Sequence, residues 1–477
     1  MKKLKFVFSI LICSVFFAAA QNEGNIWYFG VNAGLDFNSG VPVSLSNGML
    51  NTLEGCAAIS DNNGDLLFYT DGMTVYNRNH TAMPNGTGLL GNSSSTQSGI
   101  IVKQPGSNTI YYIFTVDGVT GMNGGFYYSE VDMTLQGGFG DINMNKNIQL
   151  FPFACEKVTA ILHQNGSDFW IVSPPDNSGS YHSYLLTSSG VSPGPITNIG
   201  SFYTESYGYL RASPSGEKIV SCFFSWGVAS EFCLYDFDKN TGVLSNQMVF
   251  TDFPPPGTNP NPFGMDHHPY GAEFSPNGRF LYIAAENSFT VSQYDLFAGS
   301  YMDIVNSQIL LVNDVTVGGG ALQLAPDNKI YAAHWTDDVN SGSISSSTLS
   351  VINNPDNLGL GCNLSQNSIS LGTGACLLGL PTFYSSIFLS NTIDVGNFCY
   401  GDTTYFTPTN TSLDSILWDF GDINSGIDNI SSDTSTFHVF SDTGDFNVIL
   451  YSYLNGVIDT SITSIYINPL PNINLGI

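Results

Sequence analysis

The feature that most constrains this 477-residue chain is a repeat of about fifty residues. In each copy an apolar strand runs into a turn built on Pro, Asn and Gly, and a second strand rich in Ile, Phe and Tyr follows. Copies stand at 58–69, 102–112, 162–170, 212–220, 274–282 and 324–331. Their turn residues are Gly64, Gly106, Gly166, Gly216, Gly278 and Asn328, so five steps span 264 residues at a mean near 53. That length suits four short antiparallel strands and their turns, the blade of a β-propeller. Gly or Asn at the turn accepts the positive φ that a tight hairpin needs.

Six copies leave both ends of the region unaccounted for. Residues 26–50 read as outer strands without inner partners, and 380–388 read as inner strands without outer ones. Joined, they would make a further blade and close the ring, removing exposed sheet edges. The expectation is an all-β chain: a seven-bladed propeller over 21–390, with six or eight blades as alternatives, then a sandwich domain over 391–477. A tandem of sandwiches competes, but does not predict complementary half-blades.

Residues 1–20 read as a signal peptide. Lys2, Lys3 and Lys5 precede an apolar run from Phe6 to Phe17, and Ala18-Ala19-Ala20 supplies a cleavage site. The apolar run is short for a bilayer core of ~30 Å, which argues against an anchor. Cys13 follows Ile12, where a lipoprotein signal would carry a small residue. The expected location is secreted or on the outer cell surface, without a membrane span. Formal charge is −27, with 12 Lys and Arg against 39 Asp and Glu, and it moves to −30 once the three lysines leave. Such a surface repels phosphate backbones and argues against a nucleic-acid partner. It suits solubility, and calcium is the one cofactor it would admit.

Seven cysteines remain after Cys13, an odd number for an oxidising compartment. Cys222 and Cys233 flank a turn at 225–230 symmetrically, and Cys362 and Cys376 bracket a Ser/Gly-rich loop; these are the expected disulfides. Cys56, Cys155 and Cys399 cannot all pair within one chain. No CxxC or Cys/His spacing points to a metal centre.

Composition changes after residue 390. From Ile393 to Ile477 there are ten Asp and no Glu, Lys or Arg. The run Leu417-Trp418-Asp419-Phe420-Gly421-Asp422 is followed by Phe437-His438-Val439-Phe440 and Gly444-Asp445-Phe446-Asn447-Val448, and Asn455-Gly456 signals a type I′ hairpin. This stretch resembles the PKD domain, an Ig-like sandwich. The resemblance implies that Trp418 and Phe420 fill the core while Asp419 and Asp422 cap the adjoining turn. The two modules together resemble bacterial surface proteins exported by type IX secretion and described as gliding-motility-associated. The run 64–72 followed by Val75-Tyr76-Asn77-Arg78 looks like their first blade. Such proteins usually carry more PKD repeats and a C-terminal sorting domain; here the sequence stops soon after Leu470-Pro471.

Candidate site residues lie where inner strands would line the channel. Asp266-His267-His268-Pro269-Tyr270 leads into one such strand, and a carboxylate beside histidines could ligate a metal or serve as a general base. Adjacent histidines on a strand face opposite ways, so a solvated loop with one bonded histidine is the plainer reading. Arg211, Glu273 and Gln323 each lie five residues before their turn residue, on three successive inner strands. An Arg211–Glu273 pair would brace neighbouring blades or, less simply, hold a ligand. The 275–282 run also resembles lactonase-like propellers, which implies an alternative hydrolase using His267, His268 and Glu273. No H-E-x-x-H or Walker pattern occurs, and the strings Gly190-Val191-Ser192-Pro193-Gly194 and Gly86-Thr87-Gly88-Leu89-Leu90-Gly91 lack the strand-to-helix setting that a nucleophile elbow or a Rossmann loop needs. The favoured function is a non-enzymatic binding, adhesion or scaffold protein. Its propeller face, with Arg211, Asp266, His268 and Tyr270, would recognise a polysaccharide or surface protein.

Overall fold

The computed structural model describes residues 22–118, 124–200, 207–223, 231–251, 253, 268–338, 343–388, 393–408, 415–454 and 457–470. The signal segment, the 225–230 turn, Asp266, His267 and Asn455-Gly456 lie outside these residues. The chain divides into two compact units, the larger ending at Asp394 and the smaller beginning at Val395.

Among the described residues the larger unit is a succession of seven sheets in chain order. The first has the strands Ile26–Phe29, Ala33–Asp36 and Val43–Leu45. The next six begin with Ala57–Ser60, Gly99–Lys103, Thr159–Leu162, Leu210–Ala212, Pro269–Phe274 and Gly318–Leu324. Each of these leading strands starts an antiparallel run of at least four strands, every one hydrogen-bonded to the next. The six turn residues of the repeat, Gly64 to Asn328, all have positive φ between 58° and 86°. The turn chemistry therefore sets where each leading strand folds back on its neighbour.

Leading strands of successive sheets lie side by side, as in a β-propeller. Tyr209 N donates to Tyr270 O at 2.8 Å, tying the fifth sheet to the sixth. A Cβ on Gly271 would sit 2.2 Å from the Gly320 carbonyl, so glycine permits the close approach of the sixth and seventh. The last part of the larger unit, 375–382, returns between the seventh and second sheets. Ala321 N donates to Leu378 O at 2.7 Å, Leu378 N to Leu53 O at 3.0 Å and Thr382 N to Cys56 O at 2.8 Å. Cys56 and Pro381 form a parallel bridge, the sense expected between neighbouring innermost strands, and Val31 bridges Ala375. The largest apolar core straddles this junction, joining Trp27, Phe29, Phe68, Tyr331 and Phe383. At roughly 25 cal/mol per Å² of apolar surface, such aromatics dominate the stability of the closure.

In the smaller unit Ile393–Gly396, Thr404–Pro408 and Thr436–His438 form one sheet. Ile430–Ser431, Ser415–Asp419, Gly444–Leu454 and Val457–Ile467 form the other. Burial alternates along the Ser415–Asp419 strand, so Ile416 and Trp418 face inward. Phe406 of the first sheet meets Trp418 at 5.8 Å and Phe420 at 5.1 Å between ring centroids. Asp419 accepts from Gly421 N and Asn429 Nδ2 at 3.0 and 2.8 Å. Asp422 accepts from Ser441 N at 2.7 Å and lies 3.0 Å from His438 Nε2.

Neither expected disulfide is present; all four cysteines are free. The strand register explains the first case. Cys222 stands opposite Phe232 and Cys233 opposite Ser221, one residue away from the symmetric pairing that the spacing suggested. A one-residue offset puts the two side chains on opposite sheet faces. Cys222 accordingly packs with Phe232, Phe250 and Phe274, and Cys233 with Tyr181, Ile219 and Leu244. Cys362 ends a short 3-10 turn beside the Tyr282 hydroxyl. Cys376 instead bonds the carbonyls of His334 and Thr348.

Candidate functional site

The repeat places Arg211, Glu273 and Gln323 at the same height on the fifth, sixth and seventh leading strands, and their side chains meet. Arg211 Nε lies 3.8 Å from Glu273 Oε2, with the two side chains 4% and 7% exposed. Its Nη2 donates to Gln323 Oε1 and to Leu322 O. Glu273 Oε1 accepts from Phe274 N and Oε2 from Leu324 N, both at 3.0 Å. Burial pushes the Glu273 carboxyl above its ordinary pKa, while Arg211 and the two amides pull it back. Each carboxyl oxygen thus already holds a backbone amide. The space beside the trio, walled by Thr159, Pro214, Phe383 and Phe388, has room for about one water molecule.

Towards the start of the leading strands the channel becomes aromatic, then acidic. The Arg211 guanidinium stands 5.0 Å over the Tyr209 ring, and Tyr209 meets Tyr270 edge-on at 5.6 Å. His268 is buried where the sixth leading strand begins, and its carbonyl accepts from Glu286 N at 3.1 Å. Of the predicted mouth residues, His268 and Tyr270 are both buried, at 7% and 1% exposed.

The carboxylates around them belong to no recognisable motif and were not among the predicted site residues. Glu54, Thr96, Glu156 and His268 each lie ten residues before a turn glycine, so the repeat sets them at one level. Glu156 Oε2 accepts from Thr96 N at 2.9 Å and Thr96 Oγ1 at 3.1 Å, across the gap between the third and fourth sheets. Gln97 extends the bracing, donating to Val158 O and Leu210 O and accepting from Leu210 N. Glu286 comes in just beyond the strand Phe280–Ala285. Burial, then the charges of Glu156 and Glu286, push the Glu54 carboxyl well above the usual range. Burial and Glu156 push Glu286 up to about 7.

Glu54 Oε2 and Glu286 Oε2 are buried without a hydrogen-bond partner among the described residues. Thr96 lies within hydrogen-bonding reach of the Tyr270 hydroxyl and gives its own proton to Glu156. Two more acids near these strand ends serve their own turns. Asp71 accepts from Met73 N and Thr74 N, and Asp117 from Asn92 Nδ2 and Gly118 N. Lys157 donates to Tyr207 O at 2.6 Å, and burial draws its pKa down to about 8. Among the described residues no three of His, Cys, Asp and Glu converge closely enough to hold a metal ion. No helix among them is long and apolar enough to cross a membrane.

No family model matches the chain, and no curated protein does. Among solved structures, a 6-phosphogluconolactonase-like protein of Bacteroides uniformis is similar at 14% identity and TM-score 0.36, over 87% of this chain and 96% of that one. The periplasmic gluconolactonase PpgL of Pseudomonas aeruginosa is similar at 12% identity and TM-score 0.36, over 83% and 95%. PorZ, a surface component of the type-IX secretion system of Porphyromonas gingivalis, is similar at 11% identity and TM-score 0.36, over 94% of this chain and 60% of that one. At such scores none of them carries an argument about this chain; its own sheet order and side chains do.

Proposed function

We propose that this is an exported, non-enzymatic recognition or scaffold protein. In this reading a seven-bladed propeller, closed by the 375–383 segment, presents a binding face to a polysaccharide or surface protein. A PKD-type sandwich follows from about residue 391 as a spacer or adhesive module. Export by type IX secretion rests on the family resemblance. The observation that supports recognition over catalysis is the state of Glu273: both oxygens are held by backbone amides, and the adjoining space admits only about one water. A general base needs a free acceptor within reach of its substrate.

One observation favours a lactonase-like hydrolase as the second reading. Glu286, raised to about 7 at the channel mouth, has the protonation range of a general acid or base. The test is a screen of the chain against polysaccharides and bacterial surface fractions, with and without calcium, reading lactone and ester hydrolysis in the same wells. Saturable binding without turnover supports recognition. Turnover lost in His268→Ala or Glu286→Gln overturns it.

A further inference from the structure

The mouth of the channel is left incomplete by the protein itself. Buried polar atoms are almost always paired, so an unpaired group invites a missing partner. Among the described residues one oxygen each of Glu54 and Glu286 is such a group. The Tyr270 hydroxyl, within hydrogen-bonding reach of Thr96, feels the charge of both carboxylates. Glu156 completes the set and is already oriented by Thr96. All of the carboxyl groups are acceptors when ionised, and a phenol can accept as well. When Glu54 and Glu286 are ionised the missing partner is a donor, and the charge it must balance is negative.

We infer that the channel mouth, ringed by Glu54, Glu156, Glu286 and Tyr270, binds an organic cation, an ammonium or guanidinium group such as a lysine or arginine side chain of a protein partner. This rests on the recognition reading and names its ligand chemistry. A bare metal ion fits less well, because the described acids do not converge to ligating distance. An organic cation can bridge acids set further apart than metal ligands. Of the neighbouring charges, Lys157 already offsets part of the Glu156 charge. Lys157 is engaged with Tyr207 O and stands 5.4 Å over the Phe223 ring. Asp71 and Asp117 add negative field while capping turns, and His268 contributes its carbonyl to Glu286 N.

Protonation supplies an internal control. Burial and mutual repulsion hold Glu54 and Glu286 protonated at mildly acidic pH, and a cation competes with those protons. Binding should strengthen as pH rises.

The experiment is calorimetric titration of the full chain with agmatine and with an acetylated, amidated Gly-Lys-Gly peptide, at pH 5 and pH 8. The expected result is saturable one-site binding of at least one probe at pH 8, weakened roughly tenfold or more at pH 5. The double variant Glu54→Gln/Glu286→Gln should lose it, while the exposed control Glu217→Gln retains it. Thermal melting verifies that both variants fold. Tighter binding of the peptide assigns the cation to a protein chain, and tighter binding of agmatine to a free amine. Absence of saturable binding overturns the proposal. So does equal affinity at both pH values, binding unchanged in the double variant, or binding of calcium in place of either probe. Failure here with partner binding intact in the surface screen leaves the recognition reading standing. Ester turnover in that screen would end that reading whatever agmatine does.

Discussion

Replacing Arg211 with Met keeps most of the side-chain volume and removes the charge from the centre of the channel. Three interactions go: the ion pair with Glu273 and the bonds to Gln323 Oε1 and Leu322 O. The Glu273 carboxylate stays buried with two amides but no counter-charge, and the Gln323 oxygen loses its donor. Removing one partner of a buried pair costs about 3–5 kcal/mol. Glu273→Gln alone should cost about 1–3 kcal/mol, because its amide nitrogen must face a backbone N–H. In the double variant no buried charge is left uncompensated, so its cost should fall short of the sum by about 1–3 kcal/mol. Urea unfolding of the full chain, followed in the transition of the larger unit, measures all four corners of the cycle.

The Arg211→Met deficit should also depend on pH. The Glu273 pKa is already above 4.5 in the folded protein and rises further without Arg211. Stability from a raised carboxyl is fully present below its unfolded value and lost as pH rises through the folded one. The deficit should therefore be largest at neutral pH and shrink below pH 4.5. Additive costs within about 0.5 kcal/mol, or a deficit independent of pH, would refute the coupled brace.

Glu286→Gln should stabilise the protein at pH 8 relative to pH 5, by roughly 3 kcal/mol, since the rise from 4.5 to about 7 opposes ionisation in the folded state. Melting curves at the two pH values check the sign. Gly379→Ala places a Cβ 1.8 Å from the Glu54 carbonyl and should cost about 1–3 kcal/mol, read by urea unfolding. Asp422→Asn should destabilise the smaller unit by about 2–4 kcal/mol, because Asp422 and His438 are 1% and 3% exposed. The Asp422 carboxyl sits below 3.8 despite the opposing effect of burial, through bonds from Ser441 and His438. Its stabilisation should be present above pH 3.8 and disappear as pH falls through the lower folded value, followed by exchange protection at Trp418. Finally, Cys222, Cys233, Cys362 and Cys376 should all alkylate in urea without reductant, and mass spectrometry counts the adducts.

The repeat made much of the larger unit legible because turn chemistry is local. A Gly or Asn at a fixed point determines where the backbone reverses, and all six such residues take positive φ. Counting back five residues from them also predicted the meeting of Arg211, Glu273 and Gln323. Counting back ten would have assembled Glu54, Thr96, Glu156 and His268, a signal present in the sequence but not used. Glu286 was harder to find, since it enters from the second strand of its sheet. The Cys222–Cys233 pairing failed for a different reason. Symmetric spacing about a turn does not fix strand register, and a shift of one residue moves a side chain to the other face. In the smaller unit, aromatic residues marked the core correctly because Trp418 and Phe420 have few other places to go.

The most direct test of recognition over catalysis measures binding and hydrolysis together on the full chain and on Glu286→Gln and His268→Ala. Recognition predicts saturable binding to a polysaccharide or surface fraction, with lactone and ester hydrolysis at the buffer rate. Saturable hydrolysis that either substitution abolishes would contradict it and make the channel mouth an active site.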